Sequence, residues 1–169
     1  MIMLMERKRF IEEQEKQKEK EEFFYFEQGI FAFLFQRFAE AARYFLFLEE
    51  KENSAVFFNL ALCFFQIQNY SASYSYLQKA LSKVPRNRKE NFCKSNIVEL
   101  EKQEEENDSY QKPMLYSTPI EFPDLAREQI LRFMVDVLFC LGQKDEMMQR
   151  IYSLKKKEYK NIREKIERS

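Results

Sequence analysis

Catalysis needs a nucleophile, a base or a bound metal, and the candidates in this chain are few. Cys63, Cys93 and Cys140 are widely spaced and form no C-x-x-C pair, a pattern of neither a disulfide framework nor a zinc site. Cys63 in "LALCFF" and Cys140 in "VLFCLG" have apolar neighbours and read as small core side chains rather than nucleophiles. Histidine is absent. That removes Ser-His-Asp and Cys-His catalysis, H-E-x-x-H zinc sites and histidine acid–base chemistry. The two glycines, Gly29 and Gly142, are too few for a phosphate-cradling loop. Carboxylates are abundant, but they lie in mixed charge runs that read as solvated helix faces. The expectation is a protein that is not an enzyme, with no cofactor and no metal.

The elements that carry these residues follow from composition. Two Gly and four Pro in 169 residues leave little material for the tight turns of a β-rich fold. The polar segments are dominated by good helix formers, so the chain is expected to be all-α. Its length suits one domain with a real core. Lys+Arg 28 balances Asp+Glu 28, so no overall field favours nucleic acid, and the basic tail from Lys155 to Arg163 is interleaved with Glu158 and Glu164. The most apolar window, Ile30 to Leu48, is broken by Arg37, Glu40 and Arg43, a poor membrane span. With three unpaired cysteines, a cytoplasmic location is expected. Residues 1–21 are a charged helical extension ahead of a single helical domain over 22–169.

Two segments align at a constant offset of 32 residues. Gly29 matches Ala61, Phe38 matches Tyr70, Ala41 matches Ser73, Phe45 matches Leu77 and Leu48 matches Ala80. Small paired with small and aromatic with large marks an internal helix-turn-helix repeat, with the small residues placed where two antiparallel helices touch. "NLALCFFQIQNYSASYSYLQKALSKVP" resembles a tetratricopeptide repeat. Leu60-Ala61 stands at its Leu-Gly pair, Phe64 and Tyr70 at its aromatics, Ser73 and Ala80 at its small residues, and Pro85 at its stop. The resemblance places repeats at about 22–53, 54–87 and 128–161, the first and last degenerate. The third lies 74 residues after the second, with Val135 and Met147 where small residues are expected. Between them, in 88–127, a polar helix is expected from Lys89 to Glu105, followed by a connector with Pro113, Pro119 and Pro123. Tyr159, Ile162 and Ile166 suggest a C-terminal capping helix.

The most unusual stretch is "FFYFEQGIFAFLFQRF", eight aromatic rings in sixteen positions. As a helix it carries Phe24, Phe31, Phe35 and Phe38 on one side, and Phe23, Phe26, Ile30, Phe33 and Leu34 on another. It must therefore be covered on both sides. The tetratricopeptide resemblance implies that the first helix of each pair lines a concave groove, here with Phe23, Phe26, Ile30 and Phe33, joined by Phe58, Asn59, Leu62 and Phe65 of the second pair. Seven large apolar groups left in water would forfeit on the order of 10 kcal/mol, so something fills the groove. The candidates are a partner's apolar helix or extended peptide, a second copy of the chain, and the chain's own connector. The connector carries Met114, Leu115, Tyr116, Ile120 and Phe122 in a segment its prolines keep extended, and each is expected to be buried there. The carboxylate clamp of chaperone-binding repeats is not expected. Phe26 and Ile30 occupy its Lys and Asn places, Phe133 a basic one, and a carboxylate against phenylalanine is unpaired. The function this implies is a non-enzymatic interaction module, adaptor or chaperone-like, or alternatively a structural homo-oligomer. A variant is the tetratricopeptide chaperone of type III secretion, whose even repeat spacing the long insertion departs from.

Overall fold

A computed structural model describes the backbone of residues 2–85 and 108–168, and the side chains of residues 11–85 and 108–168. Every regular element among them is helical. In chain order these are α1 (Ile2–Leu34), α2 (Phe38–Phe47), α3 (Ser54–Gln66), α4 (Tyr70–Lys83), the single turn α5 (Thr118–Glu121), α6 (Pro123–Leu141), α7 (Lys144–Ser153) and α8 (Lys160–Glu167), with 3-10 turns at Glu49–Lys51 and Ser109–Gln111. The all-α expectation holds. The polar helix expected over 89–105 lies outside the described residues, as does Cys93.

Three antiparallel hairpins, α1/α2, α3/α4 and α6/α7, reverse by one backbone solution. A left-handed residue follows the first helix of each: Gln36 (φ 60), Gln68 (φ 63) and Gly142 (φ 69). Its N–H bonds the carbonyl three residues back, and the next N–H bonds the carbonyl five back. These are Arg37 to Ala32, Asn69 to Phe64 and Gln143 to Leu138, at 2.9, 2.9 and 3.0 Å. This is the Schellman termination, which satisfies carbonyls the helix end would otherwise leave open. The three turns are spaced by 32 and 74 residues, the offsets read from the side chains. Asn53 and Asn69 then cap α3 and α4 by accepting the N–H of Ala55 and of Ala72.

The hairpins stack in chain order, α2 on α3 and α4 on α6, with α8 laid on α6. Small residues set the seams. A Cβ on Gly29 would stand 2.6 Å from the Phe45 ring, so α1 and α2 approach as closely as they do because that side chain is missing. Ser73 Oγ donates to the Ala61 carbonyl and Ser54 Oγ to that of Ala80, both at 2.8 Å. Ala80 is fully buried, and Ala80→Leu should destabilise the fold by about 1–3 kcal/mol through overpacking. An unchanged melting temperature would contradict this seam. At the corresponding places of the third hairpin the larger Val135 and Met147 are buried as well.

Two expectations about local packing are corrected. From Ile11 to Glu21 every side chain of α1 is exposed, and packing begins at Glu22, which pairs with Lys51. Beyond it, Phe26, Gly29 and Phe33 form the face against α2, where Phe26 meets Phe45 (ring centroids 5.5 Å) and Phe33 meets Phe38 (5.2 Å). Phe26 and Phe33 were expected to line a groove; their spacing of seven around Gly29 puts both on the hairpin seam, and Phe26 also meets Tyr116 of the connector on its other side. The connector is not uniformly extended either. Pro119 and Pro123 open α5 and α6, since proline fits the first helical turn.

Candidate functional site

The groove expected from the sequence is largely closed from within. Phe58, Asn59 and Leu62 are completely buried and Phe65 is half-buried. Rings of Phe58 and Phe65 pack on Phe133 of α6 at 5.9 and 5.0 Å. Of the eight residues assigned to a partner-binding groove, Phe23 alone is well exposed, at 56%, with Ile30 intermediate. The stacking of α6 and the connector supplies the cover.

The connector lies across this surface as a bound strand would. Asn59 donates from Nδ2 to the Met114 carbonyl (2.9 Å) and accepts the Met114 N–H at Oδ1 (2.8 Å). The Met114 side chain is 2% exposed, and the Tyr116 ring stands edge-on to Phe26 at 5.1 Å. Its other apolar groups do not follow. Leu115 and Ile120 are each 64% exposed and Phe122 is also exposed; anchoring the Met114 backbone turns Leu115 outward, and Ile120 lies on the open side of the single turn α5. The expectation that all of them are buried is corrected.

What remains open is a cleft of about 620 Å³ between α1 and the connector, lined by Phe23, Ile30, Phe31, Leu34, Leu115 and Tyr116 among others. Phe24 and Phe35 continue the apolar surface around α1, both more than half exposed, and Phe31 and Phe35 touch at 4.6 Å. On a helix of 100° per residue, positions 23, 24, 31, 34 and 35 fall within one face, roughly a third of the circumference and apart from the seam at 26, 29 and 33.

A second constellation escaped the sequence reading. Arg132 is 2% exposed, with its guanidinium between the rings of Tyr110 (4.2 Å) and Tyr159 (4.1 Å). Its Nε donates to Asn161 Oδ1 (3.3 Å). Asp136 accepts from Tyr110 Oη (2.5 Å), Gln111 Nε2 (3.0 Å) and Asn161 Nδ2 (3.3 Å). Glu128 accepts the Lys155 N–H (3.0 Å) and the Tyr159 hydroxyl (3.3 Å). Burial raises the Glu128 carboxyl above its ordinary range against these bonds and the charges of Lys155 and Arg132. Burial, then the Asp136 charge and hydrogen bond, raises the Tyr110 phenol. These groups are turned on one another, and together they fasten the connector and the C-terminal segment to α6. The available signal was the spacing of four between Glu128, Arg132 and Asp136, which puts three charges on one face of an otherwise apolar helix.

The cysteines divide. Cys63 is a core residue whose thiol burial pushes up to about 12, whereas Cys140 is exposed, contrary to expectation, since it lies on the outer side of the last turn of α6. Among the described residues no helix is long and apolar enough to cross a membrane. No protein-family profile, curated protein or solved structure is similar to this chain.

Proposed function

We propose that the chain is a non-enzymatic interaction module, an adaptor or chaperone-like scaffold of tetratricopeptide type working in the cytoplasm, that receives an apolar helix or segment of another protein. One observation carries this reading. Phe23, Phe24, Phe31, Leu34 and Phe35 share one face of α1 and its end, each more than half exposed and interrupted by the exposed Glu27, and apolar surface of this extent is expensive unless a partner covers it. The cleft beside it offers a seat for an i, i+3, i+4, i+7 pattern of apolar anchors.

A second reading, the homodimer, rests on the same face. In an antiparallel α1 pair with its two-fold axis at the level of Gly29, on the exposed side, Phe23 falls opposite Phe35, Phe24 opposite Leu34 and Phe31 opposite Glu27. Two of the three residue pairings in such an isologous contact are then apolar on both sides. The experiment is sedimentation together with binding of a hydrophobic dye, comparing the full chain with Phe31→Ser/Leu34→Ser. The expected result is a monomer whose dye binding drops severalfold in the variant at an unchanged melting temperature. A concentration-dependent dimer abolished by the variant would replace the adaptor by the homodimer. Equal dye binding by both forms would remove the α1 face from either.

A further inference from the structure

Side-chain amides reach the backbone of the connector at Tyr110, Lys112, Met114 and Tyr116, beside the turn bonds from the N–H groups of Gln111, Lys112 and Thr118 to the carbonyls of Asp108, Ser109 and Leu115. Gln129 Nε2 donates to the carbonyls of Tyr110 (3.3 Å) and Lys112 (3.1 Å). Asn59 pairs with both the N–H and the carbonyl of Met114, and Asn53 Nδ2 donates to the carbonyl of Tyr116 (3.4 Å). The middle of the segment, 113–115, is extended, between the 3-10 turn at Ser109–Gln111 and a second turn at 116–117. Here the donors belong to α3 and α6 rather than to a neighbouring strand. Amide contacts to main chain are indifferent to side-chain identity, so selection falls to three seats. The Tyr110 hydroxyl reaches Asp136 with its ring over Arg132. The Met114 side chain is buried, while the Tyr116 ring meets Phe26. Lys112 and Leu115 between them face solvent.

We infer that the surface between α3 and α6 is a receptor site for a peptide segment, and that residues 110–116, which enter and leave it through turns, are its resident, replaceable occupant. The partner that fits is another protein's segment with a hydroxylated aromatic set in a tight turn, a methionine four residues later and an aromatic two residues beyond. It competes with the tethered segment, so its apparent affinity is reduced by the fraction of time the site stands open. This goes beyond the adaptor reading and does not depend on the α1 face, because none of the three seats uses Phe31 or Leu34.

The test uses a fluorescent peptide of residues 108–118 and the full chain with Tyr110→Ser, Met114→Ser and Tyr116→Ser, which empties the seats. Saturable binding is expected, and it should fall at least tenfold when Asn59→Leu is added. A folded triple variant that does not bind the peptide overturns the proposal. Should the triple variant fail to fold, hydrogen exchange of the unaltered protein decides. The Met114 amide is expected to exchange through an opening that leaves the α3 and α6 amides protected. Exchange of Met114 together with the α3 core would make the segment a permanent part of the fold and end the proposal.

Discussion

Arg132→Ala should lower the stability of the fold by about 3–5 kcal/mol, the range for removing one member of a buried ionic cluster. The guanidinium is almost wholly buried, stacks on two tyrosine rings and is bonded to Asn161. Its loss leaves two tyrosine rings without their filling and brings Glu128 and Asp136 closer to standing as uncompensated charges. The deficit should also depend on pH. The Glu128 carboxyl is raised in the folded protein above its ordinary 4.5, chiefly by burial, while Arg132 is among the groups that hold it down. A carboxyl with a raised folded value favours the fold fully below its unfolded value and loses that contribution as pH rises through the folded value. Without Arg132 the folded value climbs further, so more is lost on the way to neutrality. Urea denaturation at several pH values should find the smallest deficit near pH 4.5 and the largest at pH 7. A deficit independent of pH would assign the role of Arg132 to stacking alone.

Phe133→Ala should cost a comparable amount, about 3–5 kcal/mol, by transfer and cavity terms together. Its ring is fully buried and meets Phe58 and Phe65, so the void would open where α3 and α6 join, in a place the surrounding helices cannot easily collapse into. Phe31→Ala provides the comparison. That ring is 52% exposed, and its removal should shift stability by no more than about 0.5 kcal/mol. Thermal melts of the two variants measure the contrast directly, and similar losses would mean that the two rings are not on opposite sides of the surface.

The helices were legible because turn formers are scarce, and the hairpin register was legible because packed antiparallel helices demand small residues at fixed places. Gln36, Gln68 and Gly142 take the same left-handed conformation at those offsets. The orientation of α1 was misread although its clue was present. Gly29 marks the line of closest approach, and Phe26 and Phe33 lie along that line. The occupancy of the groove by the connector could be anticipated from its apolar content. Which of its side chains enter could not, because that is decided by one long-range pair, Asn59 with Met114. The Arg132 cluster was hidden for a different reason. Charged residues on helices are read as solvated unless a distant segment covers them, and Tyr110 and Tyr159 arrive from either side of α6 in sequence.

Stacking in chain order makes the molecule a short linear lattice, whose stability is a sum of units and of the interfaces between them. The α3/α4 hairpin has a neighbour on each side. The α6/α7 hairpin has one, but α8 and the Arg132 cluster close its far side. Among the described residues, the α1/α2 hairpin stacks on α3, touches the connector at Tyr116 and leaves an aromatic face uncovered. In such a lattice, melting proceeds from the end with the fewest bonds. The hairpin that displays the apolar surface is therefore also the one that detaches at the lowest free energy, while the capped end keeps its register.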